Sequence, residues 1–230
     1  MESLGKAAVA EFVATFALIF VGAGAVILAV GTGQLDLVGV ALAHGLVLAV
    51  MVSVTGHVSG GLVNPAVTIA LWAAGKISIQ RGAVLIVAQL AGAVAGALLV
   101  RFVVGGDLFD AGGAGAPALG PDVAVGKGIV LEAILTFFLV FVVFGTAVDD
   151  RGPWNKTAGF TIGLVIAFDI LAFGPFTGAA MNPARWFGPA LVGGLWDDAV
   201  VWIVGPIAGA IIAGVLYTSV FLRGKEPATP

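Results

Sequence analysis

The chain has 230 residues, 60% of them hydrophobic and 10% charged, with a mean hydropathy of +1.14. A soluble domain carries roughly 25% charged residues, and a water-soluble core of this length cannot hide the apolar excess, so the chain belongs in a lipid bilayer. The net charge of −3 comes without a basic cluster, which gives no ground for a nucleic-acid partner, and the absence of cysteine excludes disulfides and thiolate metal sites.

Six apolar runs follow in chain order, at about 7–30, 37–56, 82–104, 127–148, 157–173 and 199–222. Each is close to the ~20 residues that cross the hydrocarbon core as a helix. They are too long for barrel strands and do not alternate. The first is also too long for a cleaved signal peptide and carries Glu11 inside it. Two shorter apolar segments, 65–74 and 183–192, lie between the second and third runs and between the fifth and sixth. Each opens with Asn-Pro. Asn is a good N-cap and Pro is tolerated in the first helical turn, so each segment predicts a half-helix that starts at the motif. The expected fold class is an all-α membrane protein of six transmembrane helices and two re-entrant half-helices.

Internal repetition sharpens that reading. Asn64-Pro65-Ala66 recurs as Asn182-Pro183-Ala184, 118 residues on (182 − 64). Glu11-x-x-x-Thr15-Phe16 recurs as Glu132-x-x-x-Thr136-Phe137, Gly45-Leu46-Val47 as Gly163-Leu164-Val165, and Ala91-Gly92-Ala93 as Ala208-Gly209-Ala210. Blocks in one order at nearly one offset argue for duplication, with halves at about 7–104 and 127–222 inside a single membrane domain spanning 1–230. Three spans per half is an odd number, so the second copy is inverted. The two half-helices then enter from opposite faces and their N-termini meet at mid-membrane, the design of a transport site. Gly92-x-x-x-Gly96 and Gly205-x-x-x-Gly209 are expected to be matching close-packing faces.

Charge sets the orientation. With the N-terminus inside, the cytoplasmic segments carry Lys6, Lys76, Arg81, Arg151, Lys156, Arg223 and Lys225, while Arg101 and Lys127 fall outside with Asp36, Asp107, Asp110, Asp122, Asp197 and Asp198. This positive-inside bias puts both termini in the cytoplasm. The Gly- and Ala-rich segment 105–126 is expected to be an external connection folded back over the protein.

Helix N-termini leave unpaired backbone N–H groups and about half a positive charge. Two of them face to face repel cations, hydronium included. Asn64 and Asn182 can each cap the backbone and turn an amide N–H toward a pore. Water held there donates away from the amides, which breaks a proton wire.

On these motifs the chain resembles the aquaporin, or major intrinsic protein, family. The resemblance runs from Glu11 to about Tyr217. It rests on Ser59-Gly60-Gly61-x-x-Asn64-Pro65-Ala66-Val67-Thr68, on Met181-Asn182-Pro183-Ala184-Arg185-x-Phe187-Gly188-Pro189 and on the repeated Glu-x-x-x-Thr-Phe. It implies an outer selectivity filter at His44, Ile170, Ala179 and Arg185. In that filter Arg185 donates to the permeant and repels cations, and His44 offers a ring N–H. The set of four is most like that of vacuolar (tonoplast) aquaporins, which admit water and often ammonia, urea or hydrogen peroxide. The glycerol-conducting branch has bulky aromatics at the constriction and Asp after the Arg. Here Trp186 follows Arg185, which departs from both branches, as does Trp202-Ile203 where water channels often carry Trp at the second position.

Glu11 and Glu132 resemble the family's buried glutamates, which brace the half-helix loops. His57, at the cytoplasmic mouth, is either a lining group or a loop brace. Asp169 is expected to bond an external loop, with a pore role or a pH-dependent gate as the alternatives. The resemblance further implies a homotetramer with one pore per subunit and no cofactor or metal. The leading function is passive conduction of water and small neutral solutes without ions or protons, and not an enzymatic activity. Alternatives are a glycerol facilitator, an ion-coupled secondary transporter and a closed junction protein. Short termini point to a plasma membrane.

Overall fold

The structure is a computed structural model that describes residues 2–151 and 155–222. Arg223 and Lys225, counted above as cytoplasmic charges, lie outside the described residues. Among the described residues nine α-helices occur: α1 Leu4–Thr32, α2 Leu37–Thr55, α3 Pro65–Ala73, α4 Ile79–Val104, α5 Gly106–Ala111, α6 Val125–Val143, α7 Ala158–Thr177, α8 Pro183–Gly193 and α9 Val200–Tyr217. No strand occurs among the described residues. Among the described residues six helices are long and apolar enough to cross a membrane: α1, α2, α4, α6, α7 and α9, with α6 and α9 counted through the π-turns that extend them. The half-helices α3 and α8 complete the expected arrangement.

Local chemistry starts and stops these elements. Asp36 caps α2, its Oδ1 accepting from Gly39 N at 2.8 Å, and Ser78 caps α4 through Arg81 N at 3.2 Å. Gly33 ends α1 at φ 68°, the left-handed region that glycine enters without strain. α1 packs on α4, α6 on α9 and α2 on α7. The first two contacts rest on the expected glycine faces. A Cβ on Gly96 would lie 2.8 Å from Phe16 O of α1, and one on Gly205 would lie 2.8 Å from Ile129 O of α6. Gly92 and Gly209 press against the carbonyls of Phe12 and Ala133. In lipid, where no hydrophobic force drives helices together, such close backbone approach supplies the packing energy.

Helix α7 runs past the expected end at 173, through Pro175 to Thr177. Two partners from elsewhere in the chain make that last turn possible. Gly120 N donates to Phe176 O at 2.8 Å and Trp202 Nε1 donates to Thr177 O at 2.9 Å. Both carbonyls would otherwise be orphaned at a helix C-terminus. The segment 105–126 does fold back over the protein. It carries the short α5, whose Phe109 is fully buried against Ile27 and Val100, and a 3₁₀ turn at Gly113–Gly115 that lies on α1.

Two π-turns, Phe144–Val148 after α6 and Thr218–Leu222 after α9, were not expected from the sequence. A polar clasp joins them. The Asp149 carboxylate accepts from Arg151 Nε at 2.6 Å, from Arg151 Nη2 and from Tyr217 OH at 3.1 Å, while Arg151 Nη2 also donates to Phe221 O at 3.0 Å. The Arg151 guanidinium holds the Asp149 carboxyl well below the usual carboxylate range, against the opposing effect of desolvation. The carboxylate in turn raises Arg151.

Candidate functional site

The two Asn-Pro-Ala motifs meet inside the bundle. Asn64 Oδ1 accepts from Ala66 N at 2.8 Å and caps α3, and Asn182 Oδ1 accepts from Ala184 N at 2.9 Å and from Arg185 N at 3.3 Å to cap α8. Each amide then reaches across. Asn64 Nδ2 donates to Met181 O at 2.8 Å, and Asn182 Nδ2 donates to Val63 O at 2.9 Å. Pro65 and Pro183 each take the first turn, where a missing N–H costs nothing. One hydrogen on each Asn amide stays uncommitted, and both Asn side chains border the same narrow cavity.

The reach across requires an unusual backbone. Val63 and Met181, the residues before each Asn, sit at φ 54° and 52°. For a β-branched residue such as Val this is strained, at about 1–2 kcal/mol. Two buried carboxylates hold the strain in place. Glu11 accepts from Leu62 N at 2.9 Å, Val63 N at 2.6 Å, Ser59 Oγ at 2.6 Å and Gln89 Nε2 at 2.7 Å. Glu132 accepts from Ala180 N at 3.0 Å, Met181 N at 2.7 Å and Thr177 Oγ1 at 2.7 Å. Both glutamates are fully buried.

The narrow cavity measures ≈40 Å³, and a vestibule of ≈420 Å³ lies next to it. His44, Ile170 and Arg185 border both spaces, so they stand at the neck between them; Ala179 borders the inner one. The four residues that the sequence grouped are thus brought together. Arg185 is held twice, Nε donating to His44 Nε2 at 2.9 Å and Nη1 to Gly115 O at 2.8 Å. Nη2 makes no hydrogen bond among the described residues and keeps its donors uncommitted.

Three sequence expectations need correction. His44 does not offer a ring N–H to a permeant. Its Nδ1 bonds Val40 O at 2.9 Å, which makes Nδ1 the donor, and Nε2 accepts from Arg185. Both ring nitrogens are therefore engaged. Asp169 is buried, yet it bonds no external loop. Its Oδ2 has no hydrogen-bond partner among the described residues, and it borders neither the neck nor the vestibule. His57 is exposed, borders neither space and makes no side-chain hydrogen bond among the described residues, so neither the lining nor the bracing alternative holds.

Other participants were missed. Gln89, fully buried in α4, bridges Glu11 to Thr68, and Arg81 Nη2 donates to Ser59 O at 3.1 Å. A polar residue inside a span is a functional signal in itself, so Gln89 could have been found. The Gly115 carbonyl carries no such mark.

The family model described as Major intrinsic protein covers residues 1–217 of the chain. The chain belongs to the major intrinsic protein family. As such it is a multi-pass membrane channel of the aquaporin kind, not an enzyme. "Aquaporin TIP4-4" of Zea mays is 45% identical over 233 residues, which cover 96% of this chain and 90% of that one. "Aquaporin TIP1-2" of Zea mays is 42% identical, covering 96% and 88%. The solved "X-ray structure of the aquaglyceroporin from Plasmodium falciparum" superposes with a TM-score of 0.84 at 27% identity, covering 95% of this chain and 97% of that one. The helix order, the paired half-helices and the glutamate-braced loops are thus this family member's own version of the family fold.

Proposed function

We propose that the chain conducts water passively, together with small neutral solutes such as ammonia, urea and hydrogen peroxide, and excludes ions and protons. The observation that carries this reading is the neck. His44, Ile170 and Arg185 are the shared border of the outer vestibule and an inner cavity that holds both Asn64 and Asn182. A permeant entering from the vestibule meets the guanidinium first. It then reaches the capped N-termini of α3 and α8, each carrying about half a positive charge. Cations are repelled twice, while a neutral molecule trades hydrogen bonds with Arg185 Nη2 and the free Asn amide hydrogens. With Ile170 and Ala179 apolar and His44 turned to Arg185, the donors lie on one side of the neck. That one-sided polarity suits a neutral solute better than a charged one.

The glycerol reading has the likeness to the Plasmodium falciparum aquaglyceroporin behind it. It is weakened by the neck residues, none of which is a bulky aromatic of the glycerol-conducting type. A secondary transporter needs a coupling-ion site. Glu11 and Glu132 are spent on the loops, and the half-helix N-termini disfavour a cation.

The halves 7–104 and 127–222 act as the two inverted repeats of one channel domain, and four copies assemble with one pore each. Both termini are cytoplasmic. The plasma membrane expected above competes with an internal one, which the vacuolar-type neck favours; a tagged chain imaged against markers of both membranes separates the two.

Stopped-flow light scattering of proteoliposomes against an impermeant osmolyte tests the function. Shrinkage faster than that of empty liposomes, with weak temperature dependence and loss on Asn182 substitution, is the expected result. Shrinkage at the empty-liposome rate with folded protein would remove the water reading.

A further inference from the structure

We propose that Gly22, a residue of α1 behind the neck, governs which solutes pass by fixing the position of His44 and, through it, of Arg185. The proposal rests on the reading of the neck as the pore constriction.

Gly22 is buried, and the atoms nearest to a Cβ built on it all belong to one side chain. Such a Cβ would lie 2.5 Å from His44 Nε2, 2.7 Å from Cδ2 and 3.1 Å from Cε1. Nε2 is the atom that accepts from Arg185 Nε. A methyl group at position 22 and the guanidinium therefore compete for the same edge of the imidazole. The ring has no free way to yield, because its other nitrogen is tied to Val40 O one turn back on α2.

Two movements of the side chains at the neck relieve the contact. The ring can shift away from α1 into the opening it borders, or it can tilt off Arg185. In the second case Arg185 Nε loses its acceptor while Nη1 stays on Gly115 O, so the guanidinium pivots about that anchor into the neck. Either movement narrows the opening and costs a solute larger than water more than water itself.

The next residue of α1 supports the other anchor. Gly115 sits at φ 67° with Ala23 directly beneath it, so that a Cβ on Gly115 would fall 2.5 Å from Ala23 O. One step of α1, Gly22 and Ala23, thus backs both groups that hold Arg185. Two residues after Gly22, Gly24 faces open space, and a methyl placed on it would meet nothing within 4 Å. It provides a matched control on the same helix.

The test measures water and urea permeability in proteoliposomes for the wild type, Gly22→Ala, Gly24→Ala, His44→Ala and the Gly22→Ala/His44→Ala pair. Gly22→Ala should lower the urea-to-water ratio about tenfold, the discrimination that one methylene gives in a closed pocket. Gly24→Ala should leave it unchanged. In the His44→Ala background, adding Gly22→Ala should change nothing, because the methyl then meets vacant space. For a wild type closed to urea, the same comparison is made on water flux itself.

An unaltered ratio in folded Gly22→Ala, or an equal drop in the His44→Ala background, overturns the proposal. If Gly22→Ala alone does not assemble, the double variant decides: recovery by His44→Ala supports the proposal, and equal failure of both overturns it. A folded wild type no faster than empty liposomes for either permeant sinks the pore reading itself. A conducting wild type with an unmoved Gly22→Ala ratio sinks the inference alone.

Discussion

Arg185 Nε donates to His44 Nε2 at 2.9 Å, so the two polar residues of the neck are bonded to each other before any permeant arrives. Polarity at the neck is consequently supplied by Arg185, and His44 acts as its holder. The Gly115 carbonyl fixes the second point, and a planar guanidinium held at two points keeps one orientation.

Replacing that guanidinium should relax selection. Arg185→Val removes the cation barrier, frees His44 Nε2 and leaves apolar space at the neck. The urea-to-water permeability ratio is expected to rise roughly tenfold, measured by stopped-flow shrinkage and reswelling. An unchanged ratio in a folded channel would place Arg185 away from the constriction.

The glutamate braces should be intolerant of even an isosteric change. In Glu132→Gln an amide N–H₂ must face either Met181 N or the pair Ala180 N and Thr177 Oγ1. At least one buried donor is then left unmatched, at about 1–3 kcal/mol. The strained Met181 carbonyl, which receives Asn64, depends on this brace. Glu132→Gln is therefore expected to lower both the thermal midpoint in detergent and the water flux. A variant with wild-type midpoint and flux would show that the loop holds itself.

Much of this architecture was legible in the sequence because lipid leaves few choices. A span needs about 20 apolar residues, and an Asn-Pro pair between spans starts a helix that has too few residues to cross. The inverted repeat placed Asn64 beside Asn182 before any coordinates, and the family resemblance implied that Glu11 and Glu132 each brace a loop. What stayed hidden depends on partners distant in the chain. The last turn of α7 survives Pro175 because Gly120 N and Trp202 Nε1 cap its carbonyls. His44 is turned from donor to holder by Arg185, a residue 141 positions away. Burial of Asp169 without a partner is likewise a matter of which helix faces it, and no local pattern carries that.

A chain without cysteine offers no thiol for mercury. Water flux through the wild type should be insensitive to mercuric chloride. Ala179 lines the inner cavity just below the neck and is buried. Ala179→Cys should therefore create inhibition that a reducing thiol reverses. Rapid block of the wild type would point to chemistry other than thiolate capture, and an insensitive Ala179→Cys channel would move position 179 out of the water path.

The clasp that joins the two π-turns makes a pH-dependent contribution whose sign follows from Asp149. Its carboxyl is held below the ordinary range by Arg151 in the folded chain, whereas unfolded it titrates near ~3.9. A depressed folded value means that the stabilisation is fully present above the unfolded value and is lost as pH falls from there toward the folded one. Ala147, in the π-turn that the clasp follows, borders the inner cavity, so loosening this turn also disturbs the lining of that cavity. Asp149→Asn should lower the thermal midpoint at neutral pH. The gap to the wild type should persist down to about pH 5 and then narrow progressively below ~3.9 as the wild-type carboxylate is protonated. A gap of constant size from neutral pH to pH 3 would mean that the clasp works through shape rather than charge.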